Sequence, residues 1–204
     1  MRLGIFGGTF DPVHFGHLLL AELCREQREL DQVWLLPAAV PPHKQGCQLA
    51  DAEHRVEMLK LAVAGHAAMQ VSLLEVEQGG VCYSVETLST IHAADSSAEL
   101  FFLIGGDSLD DLSNWRNPGE ICRLATPVAV ARPDQSNLDF GGLEAFVTPE
   151  RLDEIRAARV TMPSLELSST EIRRRVAAGQ SIRYQTPRAV EKYIEAQGLY
   201  RDGA

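Results

Sequence analysis

The chain of 204 residues is short of basic charge, of cysteine and of long apolar runs. Its 19 lysines and arginines face 28 acidic residues, a formal net charge of −9, so no broad basic face is offered to nucleic acid or to an anionic membrane. The four cysteines (Cys24, Cys47, Cys82, Cys122) are too scattered for a C-x-x-C pair or a zinc spacing. They read as reduced, structural thiols of a cytoplasmic protein. No apolar run is long enough to span a bilayer, and Gly7-Gly8 interrupts Met1–Phe6 too early for the core of a secretion signal. Low-complexity tracts, proline-rich linkers and internal repeats are also missing. What is present is ordinary for a globular enzyme: 45% hydrophobic and 23% charged residues, enough for one substantial core. A soluble, intracellular protein of one domain over residues 1–204 is expected, and a homo-oligomer is compatible with the sequence.

Strand-like and helix-like segments alternate along the chain. Arg2–Phe6 reads as a buried strand because its apolar residues do not alternate. Phe15, Leu19 and Leu23 then recur at helical spacing, with charged residues on the other faces. Further strands are expected at Gln32–Leu36, Val71–Val76, Leu100–Ile104, Val128–Ala131 and Arg159–Met162. Asp51 is placed to cap a helix with Val56, Leu59 and Val63 inward, and Val85–Ala94 reads as another helix. Residues 37–50 carry three prolines and a glycine and predict an irregular loop. The alternation implies an α/β domain with a mostly parallel sheet and helices on both faces. The C-terminal segment from about residue 164 to 204 reads as helical. Ser168 and Glu171 have capping-box spacing there, Gly179 stops that helix, and Thr186-Pro187 and Gly198 bracket the next.

Six groups of residues carry candidate chemistry. Gly7-Gly8-Thr9 lies between a strand and a helix, where backbone N–H groups can be aimed at a phosphate; a glycine pair alone is more often just a tight turn. His14 and His17, at i and i+3, share one helix face. As a zinc pair they would need further ligands, for which only Asp11 and His43 offer themselves. As isolated histidines they would be unremarkable surface groups, and beside the glycine turn they suit donors to phosphate oxygens. Lys44 sits in the proline-stiffened loop, either solvated or delivering a cation to a fixed place. Ser168-Ser169-Thr170 leads into Arg173-Arg174-Arg175; three arginines in the first two turns would oppose the helix dipole unless a bound polyanion resolves the conflict. Arg173 is nearest the cap. Asp107 follows the strand Leu100–Ile104 and Gly105-Gly106, where it could either contact ribose hydroxyls or cap a helix. Trp115, close behind, is either core or a stacking platform.

The segments GGTFDPVHFGH, PPHK, YSVETL, FFLIGGDSL with NW after it, and LSSTEIRRR resemble the bacterial nicotinate-nucleotide adenylyltransferase family, part of the H-x-G-H nucleotidyltransferase superfamily. The motifs run in family order from residue 4 to about residue 200. The resemblance implies a Rossmann-like, doubly wound fold and transfer of AMP from ATP to nicotinate mononucleotide, yielding deamido-NAD and pyrophosphate. Mg²⁺ would be held mainly by ATP phosphates and water, with no protein ligand assigned. It further implies that Gly7, Gly8, Thr9 and Phe10 contact phosphates, and that His14 and His17 hold the ATP phosphates. Lys44 and Arg173 would flank the leaving pyrophosphate, and Ser168, Ser169 and Thr170 would present a helix N-terminus to it. Asp107 would contact a ribose, Trp115 would stack on the nicotinate ring, and Thr87 would lie near its carboxylate. The sequence departs from the family pattern at Glu86, where Asp is expected, and at Gln185-Thr186, where a more apolar pair is expected. Competing readings are another adenylyl- or cytidylyltransferase of the superfamily, and a nucleotide-sensing module without turnover. An RNA-charging enzyme is disfavoured by size, acidity and the lack of an anticodon-binding region.

Overall fold

The computed structural model describes residues 1–40, 49–131 and 138–201. Six strands hydrogen-bond in the order β3-β2-β1-β4-β5-β6: β1 (Arg2–Gly8), β2 (Gln32–Pro37), β3 (Met69–Val71), β4 (Glu99–Gly105), β5 (Ala125–Ala131) and β6 (Val160–Thr161). β1 pairs in parallel with β4 from Arg2↔Glu99 to Ile5↔Phe102, and β4 with β5 from Leu100↔Ala125 to Gly105↔Val130. The order reverses between β1 and β4, whose carboxyl ends carry Gly7 and Gly105. In open parallel sheets such a switch point is where ligands bind. Leu100–Ile104 is buried at every residue, so both faces of β4 are covered. That is why its sequence is a continuous apolar run instead of an alternating one.

The chain forms two compact units, each assembled from three segments: Met1–Gly7, Leu20–Trp34 and Tyr83–Ser164 in the first, Gly8–Leu19, Leu35–Cys82 and Leu165–Ala204 in the second. The first holds most of the sheet, α4 (Ser84–Ala94), α5 (Gly106–Asp111), α6 (Pro118–Leu124) and α7 (Pro149–Ala157). Its core includes Leu3, Ile5, Leu88, Leu103, Leu112, Ile121, Val128 and Ile155, all at most 1% exposed. Burial of each such side chain stabilises the fold by about 2 kcal/mol. The second unit holds α2 (Ala52–Val63), α3 (Leu74–Gln78), α8 (Ser169–Ala177) and α9 (Arg188–Gln197). Helix α1 (Phe15–Gln27) begins in the second unit and ends in the first.

Several local expectations need correcting. The third strand is only Met69–Val71, and most of the remaining apolar run lies in α3. Ser72 N–H makes a last bond to Leu35 O, after which Glu77 N–H turns back to Leu73 O and Gly79, at φ 69°, ends the helix. An apolar run this short has no period long enough to separate strand from helix. On α1 the deepest line is Ala21 and Cys24, both fully buried, while Phe15 remains 40% exposed. Asp51 precedes α2 without a side-chain capping bond, and the inward residues are Arg55, Val56, Met58 and Leu59. The capping box at α8 is half formed: Ser168 Oγ accepts from Glu171 N–H at 3.1 Å, but the Glu171 carboxylate pairs with Arg174. Cys24, Cys82 and Cys122 are buried. Cys47, like His43 and Lys44, lies outside the described residues, as does most of the predicted 37–50 loop.

Candidate active site

The glycine turn is built by close approach. A side chain at Gly8 would meet the Phe10 ring at 3.0 Å, and one at Gly16 would meet the His14 imidazole at 3.0 Å, so both positions need glycine for room. Phe10 is buried and meets His17 edge-on at 5.1 Å. His14 stands just before α1 instead of within it, and its carbonyl accepts from His17 N–H and Leu18 N–H. The two imidazoles stack, with centroids 3.7 Å apart and planes 21° from parallel. His14 N–H points at His17 Nδ1 at 3.3 Å, which places the proton of a neutral His17 on Nε2, the tautomer that offers a donor. Burial holds the His14 pKa down to about 4. At neutral pH His14 is therefore uncharged, and two stacked cations at that spacing are avoided. Its buried Nδ1 has no hydrogen-bond partner among the described residues.

Arginine chemistry at this site differs from the sequence expectation. Because α8 ends at Ala177, Arg174 and Arg175 fall in its last turn, where positive charge suits the dipole. Arg174 pairs with Glu171 at 2.7 Å and Arg175 donates to Ser181 O. Only Arg173 turns toward the histidine-bearing segment. Its Nη1 donates to Asp11 O at 2.8 Å and lies 3.6 Å from Asp11 Oδ2, with the side chain 13% exposed. Its buried Nε has no hydrogen-bond partner among the described residues. The serines before it are engaged within the unit: Ser168 caps α8, and Ser169 Oγ donates to Pro12 O at 2.9 Å. Thr170 Oγ1 accepts a long 3.5 Å contact from Arg173 Nη2.

Arg55 is a residue that sequence reasoning passed over. Only 2% exposed, it donates to the carbonyls of Thr9, Ala38, Ala39 and Ala50 at 2.7–3.1 Å. One buried guanidinium thus ties the phosphate turn to the end of β2 and the approach to α2. Burial lowers its pKa, and the charge of Asp11 opposes that shift. Asp11, considered above only as a zinc ligand, is fully buried and accepts from the Tyr200 hydroxyl at 2.6 Å and from Ala50 N–H. A helical position with hydrophobic neighbours hides such an arginine from periodicity arguments. The one available signal was a charge on the apolar face of α2. Among the described residues no group of three or more His, Cys, Asp or Glu could hold a metal ion.

The remaining candidates, like Gly7, belong to the first unit. Asp107 is exposed, one residue inside α5, and Gly105 occupies the cap, so the helix-capping alternative does not describe it. Thr87 is buried on α4, with its hydroxyl 3.4 Å from Tyr83 O. Trp115 is half-buried and meets Phe102 edge-on at 5.9 Å, intermediate between core and platform. Glu86, the departure from family pattern, pairs with Arg116 at 2.8 Å, and Arg116 lies over the Tyr83 ring. The substitution therefore links α4 to the residue after Trp115. Thr186, the other departure, is buried and donates to Val13 O at 2.7 Å.

Known proteins resemble this chain over nearly its whole length. The family model described as cytidylyltransferase-like matches residues 5–175. The "Probable nicotinate-nucleotide adenylyltransferase" of Thermomicrobium roseum is 44% identical over 200 residues, covering 98% of this chain and 92% of the relative. A protein of the same name from Roseiflexus sp. is 45% identical over 202 residues, covering 98% of each chain. Among solved structures, Plasmodium falciparum nicotinic acid mononucleotide adenylyltransferase complexed with NaAD has a TM-score of 0.74 at 16% identity, covering 98% of this chain and 97% of that one. At that identity the likeness speaks to the fold alone. A Rossmann-like sheet with a histidine pair and an arginine gathered at a glycine turn defines a nucleotidyltransferase of the cytidylyltransferase-like class. Within that class, the chain belongs to the nicotinate-nucleotide adenylyltransferase family.

Proposed function

We propose that the chain transfers AMP from ATP to nicotinate mononucleotide, giving deamido-NAD and pyrophosphate in NAD synthesis. The observation that carries this is the Arg173 bond to Asp11 O, which brings a half-satisfied guanidinium to the segment bearing His14 and His17. The nucleophile is the acceptor's phosphate, already an anion, so no strong general base is needed. Catalysis then rests on aligning two polyanions and neutralising charge as pyrophosphate leaves. A stacked histidine pair, a buried arginine and backbone N–H groups at the glycine turn and at α8 suit that work.

In this reading Gly7, Gly8, Thr9 and Phe10 form the phosphate turn, His14 and His17 bind the ATP phosphates, and Arg173 and Lys44 flank the pyrophosphate. Ser168, Ser169 and Thr170 present the α8 N-terminus. Asp107 contacts a ribose, Trp115 stacks on the pyridine ring and Thr87 lies near its carboxylate. The His- and Arg-rich donor set suits anionic oxygens better than a hard cation, so Mg²⁺ enters on the ATP phosphates and their waters. When bound it supplies further neutralisation of phosphate charge. The buried thiols of Cys24 and Cys122 support a cytoplasmic location. The test is an acceptor panel: purified protein with ATP and Mg²⁺ should release pyrophosphate fastest with nicotinate mononucleotide at subsaturating concentration. A preference for nicotinamide mononucleotide or phosphopantetheine overturns the assignment.

A further inference from the structure

Residues 11–15, between the glycine turn and α1, are fastened by the C-terminal segment almost one residue at a time. Arg173 and Tyr200 bind Asp11, Ser169 binds Pro12, Thr186 binds Val13, and Phe15 N–H donates to Gln185 O. Most of these bonds fix backbone. Tyr200 does something else. Its hydroxyl donates to Asp11 Oδ1 at 2.6 Å, and Ala50 N–H reaches the same oxygen at 3.3 Å. Both anchors on one oxygen set the rotation of the carboxylate, which leaves Oδ2 without a hydrogen bond among the described residues and 3.6 Å from Arg173 Nη1. That separation is too long for a direct hydrogen bond. Arg173 is thus ion-paired with the carboxylate without a direct hydrogen bond to it, and its Nε has no hydrogen-bond partner among the described residues. Tyr200 adopts φ 63°, a conformation that bulky side chains seldom take, so its placement is enforced by its surroundings.

We propose that Tyr200 is a positioning residue for Arg173, acting through Asp11: its hydroxyl holds the carboxylate by Oδ1 and keeps Oδ2 short of a direct hydrogen bond to Arg173, so that the guanidinium stays available to a pyrophosphate group. This rests on the reading of Arg173 as a phosphate ligand. Without the hydroxyl, the Asp11 carboxylate can rotate and close on Arg173 as a direct, bidentate pair, the strongest arrangement open to those two groups. The guanidinium is then spent within the protein and lost to the ligand. Asparagine at residue 11 carries no charge with which to capture it.

The experiment is calorimetric titration of the full chain with inorganic pyrophosphate and, separately, with nicotinate mononucleotide. Tyr200→Phe should weaken pyrophosphate roughly ten-fold, within the usual range for coupled buried groups, and leave nicotinate mononucleotide within about two-fold. Adding Asp11→Asn to Tyr200→Phe should recover most of the lost pyrophosphate affinity. Tyr193→Phe, which removes a hydroxyl 2.9 Å from His54 Nδ1 in the packing of α9 on α2, should leave both affinities unchanged. The proposal is overturned if Tyr200→Phe binds pyrophosphate as the parent does, if both ligands weaken together, if Tyr193→Phe shows the same loss, or if the parent binds no pyrophosphate. Should the parent make no deamido-NAD, the substrate reading falls, while the pyrophosphate ratios still decide the role of Tyr200.

Discussion

His14 and His17 divide their labour by environment. His17 is oriented by the backbone N–H of His14 and backed by Phe10, so it can present a preorganised donor. Its replacement by alanine should lower kcat by about two orders of magnitude, the usual loss for a charge-stabilising donor, in a steady-state pyrophosphate-release assay. Equal turnover would make the ring structural. His14 is kept neutral by burial, and this couples folding to pH. The folded pKa of about 4 lies below the ordinary 6.5, so between those values the unfolded chain binds more protons. Stability from this group is complete above pH 6.5 and declines as pH falls toward 4, by about 3 kcal/mol in all. Urea titrations at pH 7 and pH 4.5 should show His14→Gln losing less stability over that interval than the parent. Parallel losses would contradict it. The sequence put both histidines on one helix face. Their stacking, and the room that Gly16 leaves for it, needed coordinates.

At the level of elements, the turn after β1 has no regular hydrogen-bond ladder of its own and depends on what reaches it from elsewhere. Arg55 reaches it from α2, with four carbonyls from Thr9, Ala38, Ala39 and Ala50 satisfied by one side chain. Arg55→Met should therefore cost about 3 kcal/mol or more, because it leaves buried carbonyls unsatisfied along with Asp11 short of positive charge. The check is the shift in urea midpoint at constant slope; a loss under about 1 kcal/mol would mean that water replaces the guanidinium with little penalty. The lesson of α8 runs the other way. Its three arginines looked anomalous when counted from the N-terminus alone, but in a helix of nine residues the second turn is also the last. Once Ala177 ends it, Arg174 and Arg175 are ordinary C-terminal cations and Arg173 alone calls for a ligand.

In the whole molecule, the two compact units are interleaved along the chain, not consecutive. Helix α1 crosses from one to the other at Leu19/Leu20, and β2 does so at Trp34/Leu35. We propose that they behave as one folding domain, because melting either would have to break a continuous helix and a continuous strand. Thermal unfolding followed by circular dichroism and by tryptophan fluorescence should give coincident, single transitions. Separate midpoints would establish two domains. Among the described residues no helix is long and apolar enough to cross a membrane.

What the sequence determined by itself was whatever depends on near neighbours. The period of an apolar run marked β1, β4, β5 and α4, and the glycine-and-histidine spacing with the motifs downstream marked the family and its reaction. Short or mixed runs were beyond it: Leu74–Gln78 is helix because Ser72 ends the ladder there, a fact about Leu35 and not about its own residues. Tertiary structure alone decided which charges are buried and against what. Asp11 with Tyr200, 189 residues apart, and Arg55 with Thr9, 46 apart, meet only because the fold brings distant segments together. A buried charge must find its partners in space, wherever in the chain they lie, and that requirement leaves no local pattern to read.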